Sequence, residues 1–202
     1  MINQKLPDQE IAIYIFDAST RKVMDFTKNR QELIEAINSI PETELVNSTN
    51  LYGAVQDVAD LWEDIYSIQN ITDGSVIIFT DGRHNATPNI TLNDALTALQ
   101  GKKRFVAALN SPDLDEAALK TLAGRDDRYF KANDVAGLET MFLSIQAEIQ
   151  RLSNSIYYMY YQSPITDPSP FQNELRIEVK NNTNRGNDRL IDETFNSEGF
   201  GV

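Results

Sequence analysis

Four short stretches of this chain gather side chains that could hold an ion or a ligand. They are Asp17-Ala18-Ser19-Thr20, Asn47-Ser48-Thr49-Asn50, Thr80-Asp81-Gly82-Arg83-His84 and Asn110-Ser111. The set is rich in oxygen donors and poor in nitrogen. Carboxylates and hydroxyls suit the hard cations Mg²⁺, Ca²⁺ or Mn²⁺, which keep waters and accept a ligand carboxylate. Singly, each stretch has a plainer use: Thr49 as a helix N-cap, Asp81-Gly82 as a turn. Asp17, Asp81 and His84 also offer two carboxylates and an imidazole, enough to sketch a metal-assisted hydrolase of Rossmann-like fold. Catalysis has little else behind it. The chain has no Gly-x-Ser-x-Gly elbow and no Gly-rich phosphate loop. The expectation is a protein that is not an enzyme.

Composition narrows the field. The chain has 202 residues, no Cys and one His. Disulfide scaffolds, thiol chemistry and multi-His metal sites are therefore excluded. A net charge of −12 argues against nucleic acid and anionic membrane as partners, since both need clustered Lys and Arg. No apolar run is long enough to span a membrane. The first ten residues are polar and have no signal-peptide core. The residues leave the compartment undetermined.

These stretches need elements to position them. Ile11–Phe16 (IAIYIF), 75–79 (SVIIF) and 104–109 (RFVAAL) are short apolar runs, read as strands buried on both faces. A short edge strand is expected over 22–26 and another strand over 128–131. Apolar periodicity predicts helices over 29–40, 51–68, 91–99 and 134–152, and Ser111-Pro112-Asp113 opens a further helix that Gly124 closes. Buried strands alternating with helices define an α/β, doubly wound, mostly parallel sheet with helices on both faces. The strands at 11–16, 75–79 and 104–109 should share one sheet. Three of the four candidate stretches directly follow these strands, at the carboxyl ends where such sheets bind ligands.

After residue 152 the pattern changes. Segments 156–161, 174–180 and 189–195 read as strands without helices between them. Leu175, Ile177 and Val179 alternate with charged residues, a half-exposed antiparallel signature. Tyr157, Tyr158, Tyr160 and Tyr161 read as sheet packing, and 181–187 as an exposed, protease-sensitive turn. Two parts are expected: an α/β domain over 1–152 and a small C-terminal antiparallel β extension over 153–202.

The order of the motifs resembles a von Willebrand factor type A domain across about residues 8–152. Asn47-Ser48-Thr49-Asn50-Leu51-Tyr52-Gly53-Ala54 is similar to the family's second metal-site loop. Val76-Ile77-Ile78-Phe79-Thr80-Asp81-Gly82 is similar to its third. The resemblance implies a protein-interaction and adhesion module with a metal-ion-dependent adhesion site. There Thr49 and Asp81 would be metal ligands, Ser48, Asn50, Arg83 and His84 would flank the ligand face, and a partner's acidic side chain would complete the shell. It also implies an extracytoplasmic or cell-surface setting.

One departure is informative. The family's Asp-x-Ser-x-Ser loop is missing, and Asp17-Ala18-Ser19-Thr20-Arg21 places Arg where the second Ser belongs. The interval from Asp17 to Thr49 is also too short for the helix and strand that follow the family's first loop. Ile11–Phe16 instead resembles the second strand. The resemblance thus implies that the first strand and its serine loop lie upstream of Met1 or come from a second chain. The metal site would then be incomplete, with Mg²⁺ (or Ca²⁺ or Mn²⁺) held weakly or not at all by this chain alone.

Overall fold

The computed structural model describes residues 1–40, 48–67, 69–86, 90–157, 159–164, 172–178 and 190–198. They form two compact units, Met1–Ile156 and Tyr157–Val202.

In the first unit, β1 (Ile11–Phe16) turns back as β2 (Thr20–Thr27), and the two pair antiparallel. Helix α1 (Arg30–Asn38) follows, capped by Asn29, whose side chain accepts from the Gln31 and Glu32 amides. Helix α2 (Leu51–Ala59) leads through the short hairpin β3 (Ile65–Tyr66) and β4 (Ile71–Thr72) to β5 (Ser75–Thr80). Then come α3 (Leu92–Ala98), β6 (Lys103–Leu109), α4 (Glu116–Ala123), β7 (Tyr129–Ala132) and α5 (Val135–Ser153). Strands β5, β6 and β7 form a parallel sheet in that order.

Strand alternation sends successive side chains of β6 to opposite faces. Val106 and Ala108 enter one core with Leu51 and Val55 of α2, Ala95 of α3, and Leu119 and Leu122 of α4. Phe105 and Ala107 enter the other with Met141 and Ile145 of α5. This is the expected α/β architecture, with helices on both faces of a parallel sheet. Turn chemistry sets the helix limits. Thr91 and Asp94 close a capping box on α3. Gly124 ends α4 at φ +73°, a left-handed conformation that side chains disfavour.

Several expectations are corrected. Among the described residues β1 pairs with β2 alone and is not part of the β5–β6–β7 sheet. An open cavity of about 2210 Å³, lined along the length of both strands, lies between β1 and β5. Helix α2 stops at Ala59 instead of running to 68. Asp57, Asp60, Glu63 and Asp64 crowd the end where the helix dipole is negative, and no basic residue offsets them in the last turn. The Asp64 carboxylate instead accepts from the Trp62 indole (3.1 Å) and the Gly74 amide (2.8 Å), fixing a loop. Helix α4 begins at Glu116 rather than near Ser111, because Asp115 caps it by accepting from the Ala118 amide.

In the second unit, β8 (Gln172–Glu178) and β9 (Leu190–Asn196) pair antiparallel. Asn173, Leu175 and Ile177 are half-buried and their neighbours exposed, as the alternation predicts. Arg176 and its cross-strand partner Asp192 form an ion pair at 2.7 Å. The described residues of 156–161 are not in a strand. Tyr157, Met159, Tyr160 and Tyr161 are exposed rather than packed in a sheet, and Tyr158 lies outside the described residues. The turn at 181–187 also lies outside them.

An ion triad ties α4 to β7. Glu116 accepts from Lys120 and Lys131, each at 2.8 Å, and these bonds lower its carboxyl pKa to about 2. A depressed carboxyl contributes stability above its unfolded pKa, near 4.5, and loses it as pH falls towards 2. The stability difference between wild type and Glu116→Gln should therefore be present at neutral pH and shrink to nothing across that window. Denaturant midpoints measured against pH check it.

Candidate functional site at the carboxyl ends of the strands

The loops after β1, β5 and β6 meet at one end of the first unit, and the 48–50 segment joins them. The Asn50 amide donates to Asp17 O at 2.6 Å, fastening the start of α2 to the end of β1. Thr49 is clamped by Asn85 from both sides. The Thr49 amide donates to Asn85 Oδ1 (2.6 Å), and the Asn85 amide donates to Thr49 O (3.0 Å). The Ser111 hydroxyl donates to Asp81 O, tying the β6 loop to the β5 loop. A Cβ built on Gly82 would lie 3.8 Å from Thr49 Oγ1. The Thr49 hydroxyl therefore lies beside Gly82 of the Asp81-Gly82 turn, at ordinary van der Waals distance from where a Cβ there would sit. Asp81 is exposed, while Thr80 is buried and its hydroxyl closes the turn by accepting from the Gly82 amide at 3.2 Å.

The cap of α2 is Asn50, not Thr49. Asn50 Oδ1 accepts from the Gly53 amide at 3.2 Å. Thr49 is thereby spared capping duty and keeps its hydroxyl for another use. Asp17 is buried and engaged: Oδ1 accepts from the Ser19 amide and Oδ2 from Arg21, each at 3.0 Å. The Arg that breaks the serine pattern thus neutralises the carboxylate that pattern would present. Ser48 is half-buried beside Thr49, and Arg83 is exposed after Gly82.

His84 stacks on Tyr52 of α2, with ring centroids 4.2 Å apart and planes 19° apart. Its Nδ1 faces the Tyr52 amide at 3.5 Å. Burial holds the imidazole below its ordinary pKa of 6.5, against the raising effect of a backbone hydrogen bond to Ala86. The unfolded chain therefore takes up the proton first. Stability is complete above about pH 6.5 and declines as pH falls below it. His84→Phe should keep the stack and remove that slope. Unfolding midpoints between about pH 7.5 and 5 check it.

Sequence reasoning missed Asn85 and Tyr52. No spacing rule links Asn85 to a loop so distant along the chain, and Tyr52 stood in the stretch similar to the second metal-site loop without a role of its own.

An open parallel α/β sheet with its oxygen-bearing loops gathered at the carboxyl ends defines a class of ligand-binding domain. Comparison with known proteins makes the class specific: the sequence matches the von Willebrand factor type A domain over residues 4–143, and the chain belongs to that family. No curated protein sequence matches it. Among solved structures it is similar to proximal thread matrix protein 1 from the mussel byssus. The identity is 14% and the TM-score 0.57, covering 70% of this chain and 36% of that one. The same byssus protein with a zinc-occupied MIDAS motif gives 15% identity and a TM-score of 0.55, covering 68% and 36%. An aerotolerance-related membrane protein from Bacteroides fragilis, carrying multiple mutations to serine, gives 14% and 0.54, covering 77% and 83%. At these identities the likeness is one of fold. This chain spans about a third of the byssus protein's length. Among the described residues no helix is long and apolar enough to cross a membrane.

Proposed function

We propose that this chain is a protein-interaction module of the adhesion type, with its ligand face at the carboxyl ends of β1, β5 and β6. The observation that carries this is the meeting of the Thr49 hydroxyl with the Asp81-Gly82 turn in a von Willebrand factor type A domain. Thr49 and Asp81 are the metal-directed residues of that face, and Ser48, Asn50, Arg83 and His84 surround them. Asn50 and His84 act structurally, one as a cap and one as a stacked ring.

The donor count limits what the face does alone. Thr49 offers one hydroxyl and Asp81 one carboxylate, while the Asp17 carboxylate is taken up by Ser19 and Arg21. Among the described residues no three of His, Cys, Asp or Glu gather as a metal group. A hard cation taking about six oxygens is not held tightly by two protein ligands and water. Among the described residues the donors therefore do not fit a tightly held ion, which supports reading the metal site as incomplete. The hydrolase reading is less well supported, since Asp17 and His84 are each engaged by local partners. A byssus matrix protein and a membrane protein as structural neighbours favour a setting outside the cytoplasm or at the cell surface.

Manganese titration tests the face. Paramagnetic broadening should centre on the amides of 48–50 and 80–82 at high Mn²⁺ and disappear in Asp81→Ala. Calorimetry at micromolar protein should show no saturable heat with Mg²⁺. Tight Mg²⁺ binding that survives Asp81→Ala would overturn the assignment and point to Asp17 and Ser19.

A further inference from the structure

Two consecutive residues of the loop after β5 hold the start of α2, each in a different way. His84 stacks on the Tyr52 ring at 4.2 Å, and its Nδ1 faces the Tyr52 amide at 3.5 Å. Asn85 grips Thr49 by a reciprocal pair, accepting from the Thr49 amide (2.6 Å) and donating to Thr49 O (3.0 Å). Both contacts close on residues 49–52, and a single peptide bond links His84 to Asn85. The near end of the same loop is tied down separately, where the Ser111 hydroxyl donates to Asp81 O. A movement of the His84 ring is therefore passed to Asn85 and through it to Thr49.

The place of the ring makes it sensitive to charge. Tyr52 is the second residue of α2, so its amide is among those at the helix start that have no partner inside the helix. Asn50 Oδ1 satisfies the Gly53 amide, and a neutral His84 turns a lone pair to the Tyr52 amide. These amides carry the positive end of the helix dipole. A protonated ring has an N–H at both nitrogens. Its Nδ1–H would point at another N–H, with a full positive charge set against the positive helix end. The groups around the ring do not offset this. Tyr52 faces it from α2, and the Asp115 carboxylate at the cap of α4 acts on the Tyr52 hydroxyl. Asp81 and Arg83 lie on its own loop, both exposed. A backbone bond to Ala86 favours the charged ring, and burial, the larger effect, favours the neutral one. The chain has one His, so a transition near pH 6 reports on this ring.

We propose that His84 is a pH-operated latch on the candidate ligand face: neutral, it holds the loop after β5 against α2; protonated, it leaves Tyr52 and draws Asn85 off Thr49. Thr49 is then no longer fixed beside Gly82, so the face is assembled at neutral pH and loosened in mildly acidic surroundings. As regulation of that face, the inference rests on the function proposed above. As a movement of the loop, it does not.

A pH titration of the full, metal-free chain by NMR tests it, following the His84 ring and the backbone amides between about pH 7.5 and 4.5. The Thr49, Tyr52 and Asn85 amides should shift with the same midpoint as the ring, below about pH 6.5. Their exchange protection, corrected for the intrinsic pH dependence of exchange, should fall at least about fivefold, with 129–132 unchanged. Returning to neutral pH should restore both. His84→Phe keeps a ring that takes no proton, and His84→Gln keeps an acceptor that takes none. In each, the three amides should stay fixed through the same range. Four results would each overturn the proposal. One is a ring that stays neutral throughout. Another is a ring that titrates while the Thr49 and Asn85 amides stay still. A third is the same shifts in both variants, which would assign them to Asp81 or Asp115. The last is loss of protection at 129–132 in step, which is unfolding and not a latch. No metal is present, so failure here leaves the manganese result standing, and a manganese failure leaves the loop movement standing.

Discussion

Phe105→Ala is expected to lower the stability of the first unit by about 3–5 kcal/mol, the range for deleting a fully buried aromatic side chain. Phe105 is 0% exposed and packs with Ala107, Ala132, Met141 and Ile145, between the sheet and α5. Ala107 and Ala132 are small and cannot extend into the void. The cavity term adds to the lost transfer energy because α5 is held elsewhere. Gln146 donates to Gln9 Oε1 (3.1 Å) and Gln150 to Gln4 O (3.0 Å), tying the helix to the N-terminal segment. Ile13→Ala on β1 provides the control. Ile13 is half-buried beside the open cavity, so about 1–2 kcal/mol is expected from partial burial. Urea unfolding of the two variants measures both. Equal losses would mean that β1 is buried as fully as β6.

Asn50→Ala is expected to cost about 2–3 kcal/mol, against about 1 kcal/mol for Asn29→Ala at the exposed start of α1. Both residues are N-caps, but their surroundings differ. Asn50 is 8% exposed, and besides capping Gly53 its Nδ2 donates to Ala18 O at 3.5 Å. Alanine would leave the buried Gly53 amide without its partner, which adds a desolvation cost of about 1–3 kcal/mol to the lost cap. Gly53 gives an independent approach. A Cβ there would lie 2.4 Å from Asn50 Nδ2, so Gly53→Ala must push the capping side chain out. It should reproduce the Asn50→Ala loss, and the double variant should cost little more than either single one. Denaturant unfolding of the three variants checks this. Full additivity would show that Asn50 and Gly53 do not act together.

The amino-acid pattern alone was enough for the α/β class. Near-continuous apolar runs in β5 and β6 and amphipathic spacing in α3 and α5 are local signals, and the structure follows them within a residue or two. The alternation of Leu175 and Ile177 with charged neighbours, read over 174–180, matches the faces of the strand at 172–178. The oxygen-bearing stretches could be found because strand ends are where such sheets bind ligands, whereas apolar spacing carried the helix expected over 51–68 past its actual end at Ala59. Three things were decided only in three dimensions. Thr49 and Asn50 are both good caps by type, and Asn50 took the role because its side chain reaches both Gly53 and Ala18. Arg21 disarms Asp17 through a contact made by the β1–β2 turn. Ile11–Phe16 reads as a strand buried on both faces, and its sequence suits one, yet among the described residues it has a strand neighbour on one side only. Apolar periodicity reports what a strand's faces require. Its edges are backbone amides and carbonyls, alike in every residue but proline, so which strand lies beside which is fixed only when the chain packs.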